Sequence, residues 1–237
     1  MHILHNIIGV PKITQNNSSD NSAVFTMGPL PRGYGVTLAN SLRRVALSSI
    51  PGTKVTGIKV KGVSHEYSTL PGIKDSVVDI MLNLKGLVVD KTDTGIEWLK
   101  LSKKKAGAVT AADITLPSGI KILNPEMYIT EIDQDKLELD IEIRIEKGVG
   151  YMSNEDLKER EDDVEVLLID ANFSPVENVK YDITSTRVAD LTNLDAMEMT
   201  ITTNGVLSPW EVFKFSGDML ASYFGLLNEE ALQVEGQ

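Results

Sequence analysis

Not one of the 237 residues is a cysteine. That excludes disulfides, thiolate metal sites and a cysteine nucleophile, and it fits a reducing compartment. Histidine is nearly as scarce. His2, His5 and His65 have no spacing that builds a metal cluster, and His65-Glu66, which opens like a zinc-protease motif, has no second histidine four residues on. No stretch of ~18 apolar residues exists, so nothing reads as a membrane span. The opening MHILHNIIGVPK lacks the basic start and the long apolar region of a secretory signal. Positive charge is also short: 23 Lys and Arg against 34 Asp and Glu leave a net charge of −11. A chain this acidic, with a pI near 4.8, offers no basic face for a sequence-independent hold on nucleic acid.

Catalytic templates are missing too. There is no G-x-S-x-G, no phosphate-binding loop and no pair of carboxylates at an acid/base spacing. Gly33-Tyr34-Gly35 precedes a helix as in a dinucleotide loop, but the third glycine position is Leu38. The pair reads instead as a close packing point at a helix start. Glu155, Asp156, Glu159, Glu161, Asp162, Asp163 and Glu165 make an acidic run without the glycine and ligand spacing of an EF-hand. It reads as a solvated face, with a metal-dependent enzyme as the competing idea. Lys103-Lys104-Lys105 reads as an exposed turn. No cofactor and no catalytic residue is expected.

What is present is an ordinary globular composition, 42% hydrophobic and 24% charged, sufficient for one large or two small domains. Gln15 to Ser22 reads as a turn and Ala23 to Met27 as a strand. A helix follows, capped by Thr37 and stopped by Pro51-Gly52, with Leu38, Leu42, Val45 and Ala46 on one face. Thr53 to Val63 is a strand. Ile73, Val77, Ile80, Met81 and Leu84 form the face of a second helix, ended by Lys85-Gly86. From Leu87 to Lys147 the chain reads as strands and turns. The clearest is Leu137, Leu139, Ile141, Ile143 and Ile145 alternating with polar residues. Met152 to Asp163 reads as a loop. Val164 to Asp170, Val176 to Val188 and Met197 to Thr203 read as strands. Ser208-Pro209-Trp210-Glu211 is a capping box that opens a last helix. Strand, helix, many strands, helix is not a regular βαβ alternation, so the fold class is α+β.

Two features point to association. In the last helix Trp210, Phe213, Gly217, Leu220, Phe224 and Leu227 recur every three or four residues, the spacing of a coiled-coil seam. A second stripe runs Val212, Phe215, Met219, Tyr223, Leu226. Either this helix is enclosed by its own domain, or one stripe packs on a sheet and the other on a partner chain. The second reading makes the protein a homodimer, most simply two-fold symmetric. Arg43 and Arg44 are adjacent in the first helix and point about 100° apart, so they cannot do the same job. They are either two surface arginines, or one is an interface anchor.

RGYGVTLANSLRRVALSSIPG and HEYSTLPGIKDSVVDIMLNLKGL, followed by GAVTAADI, KGVGY, LLIDANFSPVENVKYDI and TNLDAMEMTITTNGVLSPWE, closely resemble the N-terminal domain of bacterial RNA polymerase alpha subunits. They occur in the family's order and cover nearly the whole chain. The resemblance implies two subdomains. One is discontinuous, residues 1–51 and 176–237, an antiparallel sheet with the first and last helices, which dimerises. The other, residues 52–175, is inserted and mostly β. The dimer contacts it implies are Leu38, Leu42, Trp210, Phe213, Leu220, Phe224 and Leu227.

The implied function is non-catalytic: a homodimeric scaffold on which the beta and then the beta-prime subunits assemble, with omega also in the core complex, in the bacterial cytosol or nucleoid. A homodimeric interaction module outside transcription is the alternative. By resemblance Arg44, Leu47, Asn83 and Lys85 face beta, while Ile169, Asp170 and Val176 face beta-prime. A basic residue linked to beta-prime in some members is Ala196 here, although Met197 to Met199 beside it is otherwise similar, so the resemblance does not carry that contact over. The DNA-touching domain of the family would lie beyond Gln237, so neither nucleic acid nor membrane contact is expected of this chain.

Overall fold

The computed structural model describes residues 8–16, 19–134, 138–161 and 163–227. In chain order the elements are β1 (Lys12–Asn16), β2 (Ser22–Leu30), α1 (Tyr34–Ser48), β3 (Pro51–Val60), α2 (Val77–Leu84), β4 (Val89–Lys91), β5 (Ile96–Lys103), β6 (Gly107–Thr110), β7 (Ile114–Thr115), β8 (Ile120–Ile122), β9 (Tyr128–Ile132) and β10 (Leu139–Val149). Then come β11 (Tyr151–Met152), α3 (Asn154–Lys158), β12 (Leu167–Leu168), β13 (Ala171–Asn172), β14 (Val176–Val188), β15 (Leu191–Thr203) and α4 (Pro209–Gly225). The fold is α+β with antiparallel pairing throughout. The chain divides into two compact units, residues 1–50 with 174–237, and residues 51–173.

The first unit is a four-stranded sheet in the order β1-β2-β15-β14. Helices α1 and α4 pack on it and on each other. Its core gathers Phe25, Leu42, Val179, Met197, Met199, Ile201, Val212 and Phe213. Phe25 stacks on Phe213 at 4.7 Å between ring centroids, and Trp210 lies 5.9 Å from Phe25. Such pairs add roughly 0.5–1.5 kcal/mol each beyond the area they bury.

Helix α1 starts earlier than its sequence suggests. Its first residue is Tyr34, and Thr37, expected as the N-cap, lies one turn inside and donates to the Gly33 carbonyl. Gly33 has φ of 85° and supplies no side-chain cap. The cap comes from across the sheet. Asp195 Oδ2 on β15 accepts from Gly33 N at 2.8 Å and from Gly35 N at 3.2 Å. A Cβ on Gly35 would stand 3.0 Å from Ile183 Cγ2 and 3.1 Å from the Asp195 side chain. The glycine pair therefore lets the helix end close on the β14–β15 hairpin, where a carboxylate meets two free amides and the positive end of the helix.

The second unit is a larger sheet in the order β7-β5-β10-β3-β4-β8, with β12 paired to β3. Along β10, Leu139, Ile141, Ile143 and Ile145 all enter the core with Val77, Ile80 and Leu84 of α2. Leu137, which belongs to the same alternation, lies outside the described residues.

Several local expectations change. Helix α2 begins at Val77, because Ser76 and Asp79 close a capping box. Ile73 is thus not on the helix but pairs with Ile132 in an isolated bridge. The acidic stretch is not a plain solvated loop. Ser153 and Asp156 cap the short helix α3, whose Leu157 is buried. Glu161 then pairs with the buried Arg144. The strand expected over 164–170 shrinks to Leu167–Leu168, because a turn from Asp163 to Val166 precedes it. Val164 in that turn is 94% exposed. In the lysine run, Lys103 and Lys104 are paired with Asp113 and Glu138.

Replacing Asp195 by Ala should lower stability by about 1 kcal/mol, since it removes the only side-chain cap seen on α1 among the described residues. A denaturant midpoint that does not move would contradict that role. The capping boxes also set a pH response. Glu211 and Asp156 accept from Ser208 and Ser153, and both carboxyls are held below their ordinary values of 4.5 and 3.8. The folded state then binds protons less readily than the unfolded chain, so this stability is present above those values and is lost as pH falls below them. Melting temperature should drop as pH is lowered from 5 to 3, and less so in a Glu211→Gln variant.

Candidate functional site

The two arginines of α1 separate. Arg43 Nε donates to the Val179 carbonyl at 3.1 Å, which ties the helix to β14. Arg44 is exposed; its carbonyl accepts from Ser48 Oγ, and its side chain makes no hydrogen bond or ion pair among the described residues. Leu47, one turn on, is half-buried against the core of the first unit. Only Arg44 therefore keeps its five donors for a partner.

Helix α4 buries Pro209, Val212, Phe213 and Ser216 under itself. That face takes one residue or more from each stripe of the sequence pattern, so neither stripe is the partner face as a whole. Phe213 is 6% exposed and Leu42 is 7% exposed; both belong to the core of their own unit. Leu38 and Leu220 are partly buried against it. Trp210 remains 44% exposed. The distal turns hold the open apolar surface, with Tyr223 at 63%, Phe224 at 59%, Leu226 at 54% and Leu227 at 79%. Single exposed apolar residues are ordinary, but four within one helical turn and a half are a patch.

In the second unit, residues assigned to two partners meet in one place. Lys85 Nζ donates to Asp170 Oδ1 at 2.7 Å. Tyr151 donates its hydroxyl to Asp170 Oδ2 at 3.2 Å. The Lys85 hydrogen bond holds the Asp170 carboxyl below the usual carboxylate range against the opposing effect of burial, and Asp170 in turn raises the Tyr151 phenol. Both partners of the ion pair are more than a third exposed, so it adds at most ~1 kcal/mol to folding. Its effect is to fix the charges beside a pocket of about 160 Å³. Exposed Tyr67 and Leu82 rim that pocket, and Met81, Leu168 and Ile169 line it.

The other assigned residues are spent inside the chain. Asn83 Nδ2 donates to the Ile129 carbonyl at 2.9 Å, which fixes α2 to β9. Ile169 is buried in the core of the second unit, and Val176 in that of the first. Their apolar side chains are claimed by folding, which leaves Asp170 as the surface member of that trio. Tyr151 was missed in the sequence. The signal was there, an aromatic at the end of KGVGY with no apolar periodicity to place it in a core.

Among the described residues no three His, Cys, Asp or Glu side chains gather as a metal set would. His2, His5 and Asp162 lie outside those residues. Asp163 is paired with Lys59 and Glu161 with Arg144. No helix is long and apolar enough to cross a membrane.

Comparison with known proteins follows the same lines. The RNA polymerase Rpb3/RpoA insert domain family matches residues 58–174. Three curated relatives are each named DNA-directed RNA polymerase subunit alpha. The Syntrophomonas wolfei protein is 40% identical over 216 residues, 91% of this chain and 68% of the relative. The Alkaliphilus metalliredigens protein is 39% identical over 230 residues, 95% of this chain and 73% of the relative. The Leifsonia xyli protein is 40% identical over 226 residues, 95% of this chain and 68% of the relative. Nothing in these names favours an interaction module outside transcription. Identity at this level, over nine-tenths of the chain and more than two-thirds of each relative, means that the chain belongs to the family of DNA-directed RNA polymerase alpha subunits.

Proposed function

We propose that this chain is the assembly subunit of a bacterial DNA-directed RNA polymerase, without catalytic groups of its own. Two copies pair through α1 and the distal half of α4, and the pair is the platform for the beta and beta-prime subunits. The observation that carries this reading is the surface of α4: in an alpha-family chain, the last described turns are apolar on sides that their own sheet does not cover. Fully burying a large apolar side chain is worth roughly 1.5–3 kcal/mol. A two-fold interface counts every such residue twice. Trp210, Tyr223, Phe224 and Leu227 are already partly buried, so their remaining exposed surface is worth roughly 7–15 kcal/mol across the two copies, the same scale as an association cost of about 4–15 kcal/mol.

On the first unit, Arg44 is the beta contact, with Leu47 beside it. On the second unit, Lys85 and Asp170 answer to one partner rather than two, because each is the other's counter-ion. We assign that patch to beta-prime, with Tyr151 as its third polar member. The overall negative charge suits a subunit that holds protein while nucleic acid is held elsewhere.

Arg44→Ala should reduce beta capture at least tenfold, the usual scale for an interface arginine anchor, and leave the dimer intact. Arg43→Ala should do the reverse, costing about 1 kcal/mol of stability with beta capture retained. A pull-down with tagged chain and purified beta reads both, and equal capture by Arg44→Ala and wild type would refute the assignment. Phe224→Ser combined with Leu227→Ser should give a monomer by light scattering at micromolar concentration. It should stay folded by circular dichroism, with a melting temperature that is lower than wild type and no longer rises with concentration, since the stability lent by association is lost. A variant that stays dimeric would place the interface elsewhere.

A further inference from the structure

On β10 the residues facing away from the core are polar, yet Arg144 among them is only 4% exposed. Its guanidinium lies beside Gly57 of β3 and pairs with Glu161, and the segment 163–168 runs antiparallel along β3 next to it. That segment has a seat made for it. A Cβ on Gly57 would stand 2.8 Å from Val166 Cγ1, so only glycine leaves room there. Leu167 and Leu168 then pair with Ile58 and Gly57.

Arg144 ties down the start of this segment and contacts, at Thr56, the residue that holds its far end. Its Nη1 pairs with Glu161 Oε2, and the same carboxylate accepts from Asp163 N through Oε1 at 3.1 Å. Its Nε donates to Thr56 Oγ1 at 3.0 Å. The Thr56 carbonyl accepts from Ile169 N at 3.0 Å. Asp170 is the next residue. Leu157, Val166 and Leu168 form a small cluster of their own, apart from the main core. A segment with so few apolar contacts depends on its polar ties more than a core strand does.

We propose that Arg144 is a positioning residue for the beta-prime patch: by holding Glu161 and Thr56 it fixes segment 163–168, and through Ile169 it fixes Asp170 against Lys85. It touches no partner itself. The proposal rests on the beta-prime assignment given above, and its test separates the two.

The test uses the full chain as a dimer, with hydrogen exchange at Val166 and Ile169 and capture of beta and of beta-prime as readouts. Glu161→Ala should speed exchange at both amides and weaken beta-prime capture about tenfold each, with the dimer, beta capture and exchange at Ile141 unchanged. Gly57→Ala displaces Val166 from the other side and should give the same changes, so the outcome does not depend on one variant folding. The pair Arg144→Met with Glu161→Leu replaces a buried ion pair by apolar groups of similar size and should restore slow exchange and capture together. Unchanged exchange in both single variants would overturn the positioning role. So would fast exchange with full capture, or slow exchange in the double variant without recovered capture. Asp170→Ala keeps the two readings distinct. Loss of beta-prime capture there, with none in Glu161→Ala, overturns the role of Arg144 alone. Full capture in Asp170→Ala overturns the site assignment beneath it.

Discussion

A helix on a sheet can bury only the part of its circumference that the sheet covers, and α4 is apolar over more than that part. Val212 and Phe213 satisfy the sheet. Trp210, Tyr223, Phe224, Leu226 and Leu227 are left over. The dimer and beta proposals for the first unit depend on this surplus. If the surplus is covered by a second copy, α1 is brought to a composite surface, and the free Arg44 becomes a docking group. If it is not, Arg44 is simply an exposed arginine. The aromatic cluster of Phe25, Trp210 and Phe213 anchors the start of α4 within one chain, so the distal turns are held out in a defined direction.

The second unit handles its polar groups differently. Its core is an aliphatic sheet that needs no help, as the unbroken burial of Ile141, Ile143 and Ile145 indicates. Its proposed docking surface is instead placed by a few long-range polar ties. Lys85 and Asp170 are 85 residues apart in sequence, and Arg144 meets Thr56 across 88. Such contacts add little to global stability when exposed, but they set where charges stand. That is what a docking surface requires, since partner recognition depends on fixed geometry more than on buried area.

Features set by local spacing were legible in the sequence. The capping box Ser208–Glu211, the alternation along β10 and the excess apolar surface of the last helix all follow from residues within a turn or two of each other. The features that failed were mostly long-range. Thr37 looked like a cap because no local pattern indicates that Asp195, over 150 residues away, does the capping. The acidic stretch looked solvated because nothing nearby reveals that Arg144 and Lys59 are its counter-ions. Ile73 matched a helical face by spacing, yet Ser76 is the better start signal and took the helix N-terminus. In the candidate site the resemblance supplied Lys85 and Asp170 separately. That they form one pair is a property of the fold alone.

Sedimentation of the unaltered chain over a dilution series decides whether a second copy covers the open face of α4. A species of twice the chain mass should persist at micromolar concentration. A single species of 26.0 kDa across the series would contradict it.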